Sequence, residues 1–308
     1  MEGISRVLFR NTAYSLSLLF ALVTLCFLFF SVAPGDTARI ILGPNAPEES
    51  VIQLRHELGI DLPLFEQWAK YFTGLFQGEL GHSWLDGRDV AQEVFPKFLI
   101  TAKIGAMAAL ISFATSYLVN LLIFLRPKAS WVKLLINAGV IFPSFYAGVL
   151  AVLIIGHFFP GISLVGYGDD IGSWSHLFLP ALVIALYPMA LLSRLLEEKL
   201  MDQGVAVHTR AMRAWGYGKW VLFHKALLRP AAVPWITGWV NQLSIIFIAS
   251  FIVEVIFTIP GIGTLLLNSI QRKDFPMLQG IIVINGIFFI AMFWLNEIFI
   301  RWIDHRVR

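Results

Sequence analysis

NTAYSLSLLFALVTLCFLFFSVAPG, residues 11–35, runs for 25 residues without one Asp, Glu, Lys or Arg. A helix needs about 20 apolar residues to cross the hydrocarbon core of a bilayer, so this stretch is long enough to span. Arg6 and Arg10 precede it, and Ser31-Val32-Ala33 has the small-x-small form of a signal-peptide cleavage site. The run exceeds the about 7–15 apolar residues of a signal h-region, and Pro34 would follow the cut, so an uncleaved helix is expected.

Five more charge-free stretches of spanning length follow, at 104–125, 134–168, 171–193, 230–253 and 275–296. The second of these is 35 residues long and should hold one helix plus an apolar loop. A seventh run, 255–271, is short and broken by Pro260, Gly261 and Gly263, and reads as a loop with a short or re-entrant helix. The expected fold class is therefore an all-α polytopic membrane protein with six transmembrane helices. Composition agrees: of 308 residues 57% are apolar and 14% charged, with mean hydropathy +0.74, against about 25% charged in a soluble domain. A soluble enzyme is excluded, and 26 Phe and 10 Trp exclude disorder. No basic run suits a phosphate backbone, so no nucleic-acid partner is expected. Cys26 stands alone, which rules out an intramolecular disulfide and a cysteine zinc cluster.

Six spans place both termini on one side, and basic residues choose it. With cytoplasmic termini, 15 of the 23 Lys and Arg fall in cytoplasmic pieces, while 34–97 carries ten acids against five bases. Two polar segments remain, an external one at 34–97 and a cytoplasmic loop from Arg194 to Arg229. The external segment should form helices near residues 50–58 and 64–76, and it is a candidate face for an external partner.

Several chemistries are missing from the sequence. Gly218-Lys219 is followed by Trp220, with Arg213 in place of the first P-loop glycine, so no ATP site is expected on this chain. His56-Glu57 lacks the second His of a zinc protease motif. Gly166-Tyr167-Gly168-Asp169 spells a string of intramembrane aspartyl proteases, but that chemistry needs two neighbouring carboxylates and none is available inside the spans. His82, Asp86 and Asp89 read as a solvated turn rather than a metal site. No catalytic residue, no metal site and no bound cofactor is expected.

The cytoplasmic loop carries most information. Residues 204–215 are expected to form a short helix with Val205, His208, Met212 and Trp215 on one face, ended by Gly216-Tyr217-Gly218. A second helix at 219–228 should lead to Arg229-Pro230 and then Pro234. An apolar stripe held outside the bilayer suits either a partner's groove or the lipid headgroups.

Ala211-Met212-Arg213-Ala214-Trp215-Gly216, with Pro234 eighteen residues on, resembles the EAA loop of ABC-importer permeases, in the "ARAKG" form of the dipeptide/oligopeptide/nickel family. Pro34-Gly35-Asp36, Leu58-Gly59-Ile60-Asp61 with Pro63, and Gly78-Glu79-Leu80-Gly81-His82-Ser83 are similar to that family's first external segment. Glu254-Val255-Ile256-Phe257, Pro260-Gly261-Ile262-Gly263, Asp274-Phe275-Pro276 and Gln279-Gly280 continue the likeness. Departures are Met212 and Trp215, which replace Ala and Lys, and Arg210, which stands where many ABC importers have an acid.

The resemblance implies a type I ABC-importer permease fold as one domain over 1–308: an N-terminal helix to 33, the external segment 34–97, and a five-helix core 98–308 with a coupling loop at 194–230. It implies a multi-pass subunit of the bacterial cytoplasmic membrane importing peptides or a related small solute, nickel and metal chelates included. Partners would be a second homologous permease, two cytoplasmic ATPases that hydrolyse ATP, an extracytoplasmic solute-binding protein and membrane lipid. Val205, Ala211, Met212, Ala214, Trp215, Gly216, Pro230 and Pro234 would couple to the ATPase. Asn241, Gln242, Ser244, Glu254, Phe257, Pro260, Gly261 and Gly263 are pathway or gate candidates. For Glu254 a structural ion pair is the competing role, and for the mid-span amides a bond to a neighbouring helix. The competing functions are a self-sufficient secondary transporter and an intramembrane enzyme.

Overall fold

The computed structural model describes residues 4–32, 37–141, 143–158 and 174–303. The Pro34-Gly35-Asp36 block and the Gly166–Asp170 string lie outside them. Regular structure among the described residues is helical, apart from one isolated bridge between His82 and Asp89. The helices are α1 (Ile4–Val32), α2 (Thr37–Leu42), α3 (Glu48–Leu58), α4 (Leu64–Phe76), α5 (Val90–Leu125), α6 (Trp131–Ile141) and α7 (Ser144–Phe158). They continue with α8 (Trp174–Gly204), α9 (Val207–Ala214), α10 (Lys219–Val221), α11 (Arg229–Ile256), α12 (Ile262–Arg272) and α13 (Phe275–Ile303), with a π turn at Leu222–Leu228.

Five described helical stretches are long and apolar enough to cross a membrane: Thr12–Phe29, Val90–Leu125, His176–Gly204, Lys219–Ile256 and Phe275–Phe299. The expected third span is instead two shorter helices, α6 and α7, divided at Pro143. Proline has no N–H to donate and its ring crowds the carbonyl four residues back, so a helix readily stops there. Pro180 and Pro188 are both carried inside α8, so proline alone does not dictate a break. The expected external helices appear as α3 and α4, and the short helix after the Pro-Gly segment as α12.

The chain forms two compact units. In the unit of residues 99–264 and 292–308, Ile104, Ala108, Ile184, Ile246, Val253 and Phe257 pack α5, α8 and α11 into one apolar cluster. A second cluster joins Leu192, Leu196, Phe223, Leu227 and Trp235, which seats the π turn on α8. In the unit of residues 1–98 and 265–291, the Ser83 hydroxyl donates to Asp274 Oδ2 at 2.5 Å, with both residues buried. This bond joins two sequence blocks 191 residues apart, one from the segment between α4 and α5 and one opening α13.

Removing one partner of a buried polar pair strands the other, at about 1–3 kcal/mol. Ser83→Ala should lower unfolding stability by that amount in detergent, and Asp274→Ala should add less than its own single effect on top. Full additivity would mean that the two do not act as a pair.

Candidate functional site

The 194–230 loop is built on hydrogen bonds that replace missing helical ones. α8 continues to Gly204, so Val205 lies in the turn before α9 rather than on the helix expected at 204–215. Arg210 closes that turn, donating Nε and Nη2 to the Val205 carbonyl at 2.9 and 2.7 Å. α9 ends with Tyr217 N–H bonded to Met212 O and Gly216 N–H to Arg213 O, the Schellman pattern, with Gly216 at φ +77°. A side chain there meets the left-handed penalty of about 1–2 kcal/mol, so Gly216 sets the turn as its position suggests.

His208 is exposed but tethered. Its Nε2 donates to the Ala226 carbonyl at 3.0 Å, and neighbouring Thr209 is buried. Pro230 explains the need: in an α-helix the N–H of residue 230 would bond the carbonyl of 226, and proline has none. The second loop helix also differs from expectation. Instead of ending at Arg229-Pro230, it passes through the π turn directly into α11. His224 holds the π turn from the other side. Its Nδ1 donates to Trp220 O at 2.9 Å, so in the neutral ring Nε2 accepts from the Tyr117 hydroxyl at 2.7 Å.

With His208 tethered and Ala211 and Met212 half-buried, the exposed large apolar groups of the loop are Met201 on α8 and then Val205, Val207, Trp215, Tyr217 and Trp220. Val207 is 79% and Trp215 75% exposed. Ala214 and Gly216 lie on the exposed side too.

The second constellation surrounds Glu254, which is fully buried at the end of α11. Its Oε2 accepts the Gly263 N–H at 2.7 Å, and Thr101 and Thr264 also interact with it. The Thr101 hydroxyl accepts the Ile262 N–H at 2.9 Å. A Cβ at Gly261 would overlap the Glu254 carboxylate, and one at Gly263 would overlap the Phe251 backbone. Phe257 is buried, and Thr258 carries a positive φ of 50° in the same turn. Glu254, Phe257, Pro260, Gly261 and Gly263 thus form one folded turn. Among the described residues the partners of Glu254 are the backbone amides of Gly263 and Thr264 and the Thr101 hydroxyl, and Oε1 makes no hydrogen bond within normal geometry.

The mid-span polar group behaves differently. Asn241 Oδ1 accepts from Asn296 Nδ2 at 2.6 Å, a bond to the neighbouring α13. Gln242 is buried with Oε1 lacking a partner among the described residues, and Ser244 is half-buried. Gln242 and Glu254 are twelve residues apart, about 18 Å along a helix, so these are separate places on α11.

Outside the spans, Asp86 accepts Arg88 Nε at 2.8 Å, and this bond pushes its carboxyl down to about 2. Asp89 Oδ1 accepts the Gln92 N–H at 2.9 Å at the start of α5, so these acids organise a turn. His56 holds the Asp61 carboxyl below the ordinary range by a hydrogen bond at 2.8 Å.

Five membrane-length helices among the described residues, with a loop hydrogen-bonded to the start of one of them, are the features of a multi-pass membrane protein. Residues 104–308 match the family described as binding-protein-dependent transport system inner membrane component, and 4–91 match its N-terminal region. The chain belongs to this family and is a permease subunit of such a transport system. It is 29% identical over 311 residues to a putative peptide transport system permease protein of Brucella abortus, covering 98% of each chain. It is 29% identical over 294 residues to a glutathione transport system permease protein of Escherichia coli strain K12, covering 94% of each.

Two substitutions test the geometry. His208→Ala should cost about 1 kcal/mol, raising amide exchange across 207–217 roughly fivefold. Gly263→Ala should cost about 1–3 kcal/mol through overpacking, and lower thermal stability more than Glu254→Gln, which keeps an acceptor for the Gly263 N–H.

Proposed function

We propose that this chain is a membrane subunit of an ATP-driven importer for peptides or a related small solute. It works in a bacterial inner membrane beside a second homologous permease, two ATPase subunits and an extracytoplasmic solute-binding protein. ATP is bound and hydrolysed by the ATPases, consistent with the absence of a P-loop sequence. In this reading α6 and α7 together make the third of six spans, and both termini face the cytoplasm with the 194–230 loop. The basic residues of that loop support the orientation.

The observation that carries the reading is the exposed set Val205, Val207, Trp215, Tyr217 and Trp220 on a loop that is otherwise fixed. An isolated cluster of this kind, rimmed by Arg213 and Lys219, suits a partner's groove. Docking at Trp215 would be transmitted through α9 and the His208–Ala226 bond to the foot of α11. From there the helix runs on past Pro234 to the Glu254 turn, which we assign as part of the outer gate. The relatives named for peptide and glutathione transport support the solute class.

Trp215→Asp places a charge in the apolar contact. Expected are a folded chain, reduced retention of the ATPases on purification, and loss of ATP-dependent peptide uptake in proteoliposomes. Unchanged uptake and coupling in Trp215→Asp, or uptake by this chain alone without ATPases, would overturn the assignment.

A further inference from the structure

Helix α4 reads LFEQWAKYFTGLF. At about 100° per residue, Leu64, Phe65, Trp68, Tyr71, Phe72, Leu75 and Phe76 share an apolar arc of about 140°, and Glu66, Gln67, Lys70 and Thr73 occupy the other side. α1 covers only part of that arc. Phe72 and Trp68 meet Phe20 with centroids 5.0 and 5.8 Å apart, Tyr71 stacks on Phe27 at 6.1 Å, and Trp68 Nε1 donates to Thr24 Oγ1 at 3.3 Å. Beyond these contacts, Phe65 is 74% and Phe76 87% exposed.

The place of contact says what surrounds the exposed part. Phe20 lies nine residues after Asn11, where the charge-free run begins, and Thr24 eight residues before Val32, where α1 ends. At 1.5 Å per residue each is about 12 Å or more from either end of that stretch, in the interior of a hydrocarbon core about 30 Å thick. On α1 itself, Leu25 and Phe29 are also well exposed, so the uncovered aromatic edge of α4 continues the apolar outer surface of a span. The polar side is provided for separately. Gln67 donates to the Ile60 and Leu62 carbonyls, and Gln67 and Lys70 line a cavity of about 770 Å³ with Asp61, His82 and Gln279.

We propose that α4 is embedded in the hydrocarbon beside α1, with Phe65 and Phe76 against lipid acyl chains and Gln67 and Lys70 turned to the aqueous cavity. The segment after the first span is then partly a membrane element rather than wholly an external one. It anchors the walls of the cavity at a fixed depth.

The test uses the full chain, purified with whatever subunits accompany it, in phosphatidylcholine nanodiscs. Nitroxides are placed singly at Phe65→Cys, Phe76→Cys and Lys70→Cys on a Cys26→Ser background. Collision with oxygen, which concentrates among acyl chains, is compared with collision with a water-soluble nickel chelate. At 65 and 76 oxygen should exceed nickel severalfold, with the ratio reversed at 70. Position 76 at the helix end keeps the readout if Phe65→Cys does not fold. Nickel reaching 65 and 76 as freely as 70 would overturn the proposal. So would neither reagent reaching them, which would mean that protein, a second permease copy for example, covers the face.

Discussion

A backbone that breaks a helix inside a bilayer leaves N–H and C=O groups with no water to satisfy them, at several kcal/mol each, and a buried break elsewhere costs about 1–3 kcal/mol for each unpaired group. This constraint organises the functional parts of the molecule. Pro230 removes the donor for Ala226 O, and His208 supplies another. The chain folds back after α11, and Glu254 with Thr101 receives the amides of Gly263 and Ile262. Asp274, at the start of α13, is held by Ser83. In the first two cases a side chain stands in for a helical partner, and in the third Ser83 fixes the aspartate whose Oδ1 accepts the Met277 N–H in the first turn of α13.

These bonds explain how a signal at the loop can reach the far end of α11. The loop is clamped by Arg210, closed by the Gly216 cap and bonded through His208, so in the proposed function force on α9 would be delivered to the π turn. The π turn is packed through Phe223 and Leu227 against Leu192 and Leu196 of α8. α11 then carries displacement to Glu254, whose fully buried carboxylate ties the helix end to the Pro260–Gly263 segment. The side chains of Val207, Trp215 and Trp220 stay exposed, and in the proposed function they are where a partner would pack.

Charge-free runs revealed most spans because hydrocarbon length is a property of composition. They failed at 134–158, where apolarity continued through Pro143 while the helix did not. Glycine position revealed the α9 cap, because Gly216 needs a left-handed φ. The roles of His208 and Arg210 were not legible, since periodicity places a residue on a face without saying whether that face is covered. Pro230 announced that Ala226 lacked a donor, but not that a histidine eighteen residues earlier would provide it. The Ser83–Asp274 and Thr101–Ile262 bonds are products of long-range folding, and no local pattern marks them. Glu254 stood out as a buried acid, whereas its amide partners depend on the turn that it organises.

The central claim is that Trp215 is the point where this chain meets the ATPase. A photo-crosslinking amino acid at position 215 in the assembled transporter reads that contact directly, with the buried position 223 as reference. Expected is a covalent adduct with the ATPase subunit from 215 and none from 223. Adducts from 215 with lipid alone, in a complex that retains its ATPases, would contradict the claim.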